Sequence, residues 1–402
     1  MKLEERLRLL RGDAVPAAAT SGDLAERLRR LTPMTGERKI REQPDEQTLA
    51  EAIGAVRLSP GVLRAERRIR LADRHGRMVL NDALPGLPAL LDRSAGDPAA
   101  WLFLDTETSG LAGGTGTWAF LCGLARIEGQ ALVLRQYLLA RLDAEPAYLD
   151  AIGGELASAE LLVTYNGKSF DVPLLTTRFR LAGMESMLDL KEHLDLLVPV
   201  RRAFGRVWPD CRLTTAESRL LGFVRKGDLP GAQAPQAWLA WLRRGETERL
   251  AAVLLHNRWD LLSLPALVPA LEWSFRDPAA AGAEIRAVAR HHLARGANER
   301  AFQLLGANRE ALSASALLDL ARLHGRRGEW DAALQIWQAL AEKYNPKATE
   351  ALAKYLEHRA RDYRRALVMA RRLPLGPERE RRCRRLQARI WSRETGAPAY
   401  PG

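Results

Sequence analysis

The chain has 402 residues, enough for two or three domains with cores of their own, and 47% of them are hydrophobic and 27% charged, an ordinary globular balance. Its 61 lysines and arginines outnumber 49 acidic residues for a formal charge of +12, which favours an anionic partner without identifying it. Three scattered cysteines without a CxxC pair exclude a disulfide framework and a zinc finger, and no apolar run approaches the ~18 residues of a membrane span. These features predict a soluble, cytoplasmic protein.

Residues 1–98 read as an Arg-rich extension. LEERLRLLRG and GDLAERLRRL predict short amphipathic helices joined by VPAAATSG, and no secretory leader is expected in MKLEERLRLLRGD. ERRIRLADRHGRMVL has strand-like stretches able to add an edge strand to the adjoining domain.

Residues 99–275 read as mixed α/β. WLFL, TWAFLCGLARI and ALVLRQYLLA predict three strands whose short connections make them antiparallel neighbours. AEPAYLDAIGGELASA predicts a helix, ELLVTYN a strand, and SFDVPLLTTRFRLAG a helix stopped by Gly183. That order matches a ribonuclease H-like fold. ETERLAAVLLHNRWDLLSL, apolar almost all round, predicts a final buried helix.

Residues 281–395 carry no strand signal. GANERAFQLL, GEWDAALQIW and RDYRRALVMA resemble one another, with Ala301, Ala333 and Ala366 equivalent at spacings of 32 and 33 residues. The period is close to the ~34 of tetratricopeptide repeats. Three such hairpins closed by the Arg-rich helix PERERRCRRLQARIW are the reading preferred over an irregular bundle.

Asp105 and Glu107 alternate at the end of the first of these strands and so share one side of it. TYNGKSFDVPLL places Asp171 after a strand, at a helix start. His256 and Asp260, four apart in the last helix, lie about 40° from each other on one face. Buried carboxylates are costly without partners, and four acidic residues from three elements suit a pair of divalent cations. Oxygen ligands favour Mg²⁺ or Mn²⁺ over zinc. The GKS of YNGKS is not a phosphate loop, because Leu162 stands where the loop needs a glycine. The glycines of GLAGGTGT either let a nucleic-acid backbone approach or simply form a tight hairpin.

FLDTETSGL, NGKSFDVPLL and HNRWD resemble the three exonuclease motifs of the DEDD, or DnaQ-like, 3′–5′ exonucleases, over roughly residues 100–270. GGTGTWAFLCGLA, CRLTTAESRLLGF, GDLPGA and HNRWDLLSL are similar to the bacterial YprB-like group. The resemblance implies two ions of Mg²⁺ or Mn²⁺ held by Asp105, Glu107, Asp171 and Asp260, and a nucleic-acid substrate with a single-stranded 3′ end. His256 is the catalytic candidate beside them. It stands four positions before Asp260, the spacing at which other members place tyrosine, whereas their histidine stands at five. A general base, an outer support and a substrate contact all fit that spacing.

Thr106, Asn166, Phe170 and Asn257 are expected at the substrate, Asn166 alternatively as a helix cap. Asp195 is assigned a structural role first, and Arg201, Arg202, Arg212 and Arg225 are candidates for phosphate. The helical repeats either extend the substrate track or recruit a protein partner. Rival readings are a nucleic-acid-binding scaffold and a structure-specific endonuclease on the same fold.

Overall fold

A computed structural model describes residues 45–80, 96–110, 116–188 and 191–396. The two helices expected within residues 3–31, and Leu111–Thr115 of the glycine-rich loop, lie outside the described residues.

Helix α1 (Glu46–Ile53) leads into strands β1 (Ala55–Ser59) and β2 (Val62–Arg70), followed by the small pair β3 (Arg74–His75) and β4 (Met78–Val79). Three long strands come next: β5 (Trp101–Thr108), β6 (Ala119–Glu128) and β7 (Ala131–Leu139). Helix α2 (Glu145–Ala157), strand β8 (Leu161–Thr164), helix α3 (Asp171–Leu181) and strand β9 (Glu192–Asp195) complete the sheet region. Among the described residues the main sheet has seven strands in the order β1-β2-β7-β6-β5-β8-β9. It is antiparallel from β1 to β5 and parallel across β5, β8 and β9. This is the ribonuclease H-like arrangement. The extension contributes two strands rather than one, because β2 pairs with β7 along nine residues and β1 then pairs with β2.

Alternation along β5 divides the core. Leu102 and Leu104 join Leu149, Ile152 and Leu156 of α2 and Leu175 and Phe179 of α3. Trp101 and Phe103 join Leu261, Leu264 and Leu267 of a long later helix. The two continuations of this second side, Asp105 and Glu107, therefore emerge toward that helix.

After β9 come α4 (Leu197–Phe204), α5 (Leu213–Ala216) with a wide π turn (Glu217–Leu221), α6 (Ala234–Arg244) and the long α7 (Glu248–Arg276). The helix does not stop at Leu264 as the sequence suggests, but continues through Pro265 and Pro269. An interior proline costs ~3 kcal/mol. Full burial of Leu267, Val268, Leu271 and Phe275 against the sheet offsets that cost. No described helix is long and apolar enough to cross a membrane.

The remainder is all helical: α8 (Ile285–Ala294), α9 (Asn298–Ala307), α10 (Ala314–Arg326), α11 (Trp330–Glu342), α12 (Pro346–His358), α13 (Tyr363–Arg371) and α14 (Pro377–Thr395). Ala301, Ala333 and Ala366 are fully buried in α9, α11 and α13, where a larger residue would force the paired helices apart. Val288 of α8 and Leu304 of α9 sit in the same apolar cluster as the sheet. The backbone N–H of Glu284 also donates to the carbonyl of Ala203 at 2.8 Å.

Candidate active site

A single row of residues across the sheet carries the site. Asp105 of β5 is opposite Gly123 of β6, and Gly123 is opposite Gln136 of β7. Asn257 of α7 lies over this row, fully buried. Its Nδ2 donates to Oδ2 of Asp105 at 2.8 Å and to the backbone carbonyl of Asp105 at 3.2 Å. Its Oδ1 accepts from Nε2 of Gln136 at 2.8 Å. A Cβ on Gly123 would fall 2.2 Å from Oδ1 of Asn257, so only glycine leaves room for this amide. The sheet, in other words, is thinned at one point to let the helix hold Asp105.

Asp171 is fixed from the neighbouring residue of β5. The backbone N–H of Thr106 donates to its Oδ1 at 3.1 Å and the Thr106 hydroxyl at 2.5 Å. On α7, Nε2 of His256 is 3.4 Å from Oδ2 of Asp260 and 3.9 Å from Oε1 of Glu107. One ligand atom from each of Glu107, His256 and Asp260 lies within 4.8 Å of the others. The i, i+4 spacing thus places the histidine in the carboxylate cluster.

Crowding shows in the electrostatics. Burial, then the charges of Asp260, Asp171 and Glu107, pushes the Asp105 carboxyl well above the usual range. Glu107 is pushed up by burial and by Asp260 and Asp171. Burial raises Asp171 to about 6 against the hydrogen bonds from Thr106. It raises Asp260 too, against the pull of Arg225. Glu107 and Asp260, which with His256 bring ligand atoms close together, and the nearby Asp105 and Asp171, whose charges act on them and on one another, form a set that fits a hard divalent cation.

A second ring of residues, to which the sequence alone assigns no bracing role, supports the first. Nη2 of Arg225 donates to Asp260 and, at 2.6 Å, to Oε1 of Glu217, while its Nη1 reaches Oδ2 of Asp228 at 3.2 Å. Its side chain is 4% exposed, so Arg225 is not the phosphate contact expected from the sequence; burial commits it to carboxylates. The hydroxyl of Ser263 donates to Glu217 at 2.5 Å and is 2.8 Å from Nε2 of His75, tying β3 into the network. Oδ1 of Asp228 is 2.7 Å from Nδ1 of His256. Glu217 and Asp228 lie in CRLTTAESRLLGF and GDLPGA, segments that stand out by resemblance without a role attached to either residue.

Among the other expected substrate contacts, Phe170 is 59% exposed beside Asp171. Asn166 does not cap α3, whose N-cap is Phe170. It holds a left-handed backbone (φ 69°), with its N–H donated to Asp195 at 2.7 Å. Asp195 also accepts from the N–H groups of Lys168 and Leu197, so its carboxylate shapes the turn after β8. Asn166, Arg201 and Arg212 line an open cleft of about 780 Å³. Arg202 instead meets Nδ1 of His291 at 2.6 Å. The base of the glycine-rich loop is closed by reciprocal bonds between Ser109 and Trp118, both at 2.8 Å.

The RNase_H superfamily model matches residues 102–272. The chain is 33% identical over 280 residues to the "Uncharacterized protein YprB" of Bacillus subtilis (strain 168), covering 67% of each protein. The solved family B DNA polymerase of the archaeon Pyrobaculum calidifontis is similar with a TM-score of 0.38 and 14% identity. That match covers 66% of this chain and 36% of the polymerase, so the chain spans little over a third of the polymerase's length.

Proposed function

The chain belongs to the family of the B. subtilis YprB protein and carries a domain of the RNase_H superfamily, and from that premise we propose a divalent-metal-dependent 3′–5′ exonuclease. Its substrate is a single-stranded or frayed nucleic-acid end. One observation carries the reading: Asp105, Glu107, Asp171 and Asp260, from three separate segments, gather near one another with every carboxyl raised chiefly by burial, and those of Asp105 and Glu107 also by the charges of Asp260 and Asp171. No stability argument accounts for such a gathering, because each member is costly where it stands.

These four carboxylates would hold two ions of Mg²⁺ or Mn²⁺, which when bound activate a water and stabilise the attacking and leaving oxygens of phosphodiester hydrolysis. The protein's own part is positioning. Asn257 and Gln136 aim Asp105, Thr106 aims Asp171, and Arg225 restrains Asp260. His256 presents Nε2 toward Glu107 and Asp260 and takes a proton from the attacking water. Phe170 offers an exposed ring on which the terminal base stacks.

Digestion of 5′-labelled single-stranded DNA and RNA with Mg²⁺ or Mn²⁺ tests the reading. A ladder shortening from the 3′ end is expected, with circular substrates resistant. Undiminished cleavage in excess chelator, or by the Asp105→Ala protein, overturns it. Cleavage of circles assigns the site to an endonuclease instead.

A further inference from the structure

The charge of this protein is concentrated far from the carboxylates in sequence. Residues 359–396 hold thirteen arginines and four acidic residues, an excess of nine out of the whole chain's +12. They form α13, α14 and the flanking turns. Many of these arginines are occupied. Arg385 forks onto Glu357 at 2.7 and 3.0 Å, and Arg382 joins the same carboxylate at 3.0 Å. Arg364 pairs with Glu394, and Nη1 of Arg393 donates to the carbonyl of Arg361 at 3.0 Å. Glu357 is wholly buried, so the doubly bonded fork fixes α14 in orientation as well as position.

What that fixing presents is a stripe. Taking 100° per residue, Arg381, Arg384, Ala388 and Trp391 fall within about 80° of one another and span ~15 Å of helix. Arg381 and Arg384 are exposed and, among the described residues, have no acidic partner. Trp391 is 52% exposed, and no described ring packs on it. Ala388 keeps the surface low between them. Structural duty explains the other side of the helix, where Leu386 is buried, but not this one. A solvent-facing indole forfeits the burial a tryptophan ordinarily gains.

We propose that the Arg381–Arg384–Trp391 face of α14 binds single-stranded nucleic acid, the guanidinium groups on successive phosphates and the indole stacked on a base. Phosphate suits the planar donor fork of arginine, and an aromatic beside it matches the stacking platform of single-strand binders. An acidic protein surface would satisfy the arginines but leave the indole without a role. The face is confined to α14, and its test reads binding without cleavage, so the proposal fails or holds independently of the nuclease reading.

The test uses the full chain in chelator with a fluorescein-labelled single-stranded 20-mer, reading anisotropy across a salt series. Arg381→Glu with Arg384→Glu should weaken binding at least 10-fold at low salt and lower the log–log salt slope by roughly 1.4, two contacts of about 0.7 each. Trp391→Ala should weaken binding about 5- to 100-fold with the slope unchanged. All three side chains are exposed, and unchanged melting curves verify folding. Wild-type affinity and slope in both variants overturn the proposal. So does loss with the arginine variant alone, which leaves a general polyanion patch. Loss of a polyglutamate peptide with oligonucleotide binding intact assigns the face to an acidic protein and overturns it as well.

Discussion

Nδ1 of His256 lies 2.7 Å from Oδ1 of Asp228, a residue 28 positions away on the loop before α6. A carboxylate only accepts, so the neutral imidazole that would act as a base keeps its proton on Nδ1, toward Asp228, and turns Nε2 toward Glu107 and Asp260. Asp228→Asn removes the charge that enforces this tautomer while keeping the shape. Turnover should fall by about 10- to 100-fold, the usual cost of losing the partner that orients such a histidine. Steady-state rates with Mn²⁺ check it; unchanged turnover would show that the pairing is incidental.

His256 itself is tested more directly. His256→Ala should lower turnover about 10²- to 10⁴-fold, the span of general-base contributions. Binding of Mn²⁺, followed by titration calorimetry, should persist through the carboxylates. His256→Tyr restores the residue type that the resemblance associates with this spacing, and partial activity is expected. Full turnover in His256→Ala would make the histidine structural.

Much of this architecture is legible before any coordinates, because apolar alternation and short turns specify β5, β6 and β7 almost alone. Asp105, Glu107, Asp171, His256 and Asp260 are equally visible as polar residues where apolar ones belong. Other parts are hidden for physical reasons. Pro265 and Pro269 read as helix breakers, and only burial on both sides of α7 overrides them. Arg225 reads as a phosphate candidate and Glu217 carries no role, since nothing in one dimension shows that a turn buries them against Asp260. Gly123 carries no signal of its own within TWAFLCGLARI until Asn257 is seen to need its missing Cβ.

Arg225 is the buried cation on which three carboxylates converge. Arg225→Met leaves Glu217, Asp228 and Asp260 facing one another without it. Loss of one partner from such a buried group costs about 3–5 kcal/mol. Urea unfolding in chelator should show that loss. Arg225→Lys keeps the charge but not the fork and should fall between. A methionine variant as stable as the parent would contradict the bracing role given to this arginine.

Gly123→Ala tests the row across the sheet. Its added methyl meets the Asn257 amide, so Asn257 must leave Asp105 or the helix must move. A stability cost of about 1–3 kcal/mol is expected from overpacking. Turnover should fall as it does in Asn257→Ala, and the double variant should be little worse than either single one, because both act on the same hydrogen bond. Fully additive losses would mean that Gly123 and Asn257 serve separate purposes.

The carboxylate cluster also sets a pH dependence whose sign is fixed by its shifts. Asp105, Glu107 and Asp260 are all raised in the folded protein, and Asp171 is raised to about 6. A raised carboxyl favours the folded state below its ordinary range, and that contribution is lost as pH climbs through the folded value. In chelator, the cluster's contribution should therefore decline from about pH 4 to beyond pH 6. His75, lowered to about 4 by burial, works in the opposite direction and must be separated out. Comparison with Asp105→Asn does so, since that variant keeps His75 and relieves the repulsion. It should melt above the parent at pH 8 in chelator, with the gap closing toward pH 5. A divalent cation would bind the deprotonated cluster, so Mg²⁺ should raise the parent's melting temperature more at pH 8 than at pH 5. Equal gains at both pH values, together with no stabilisation by Asp105→Asn, would show that these carboxylates are not a mutually repelling set held for a cation.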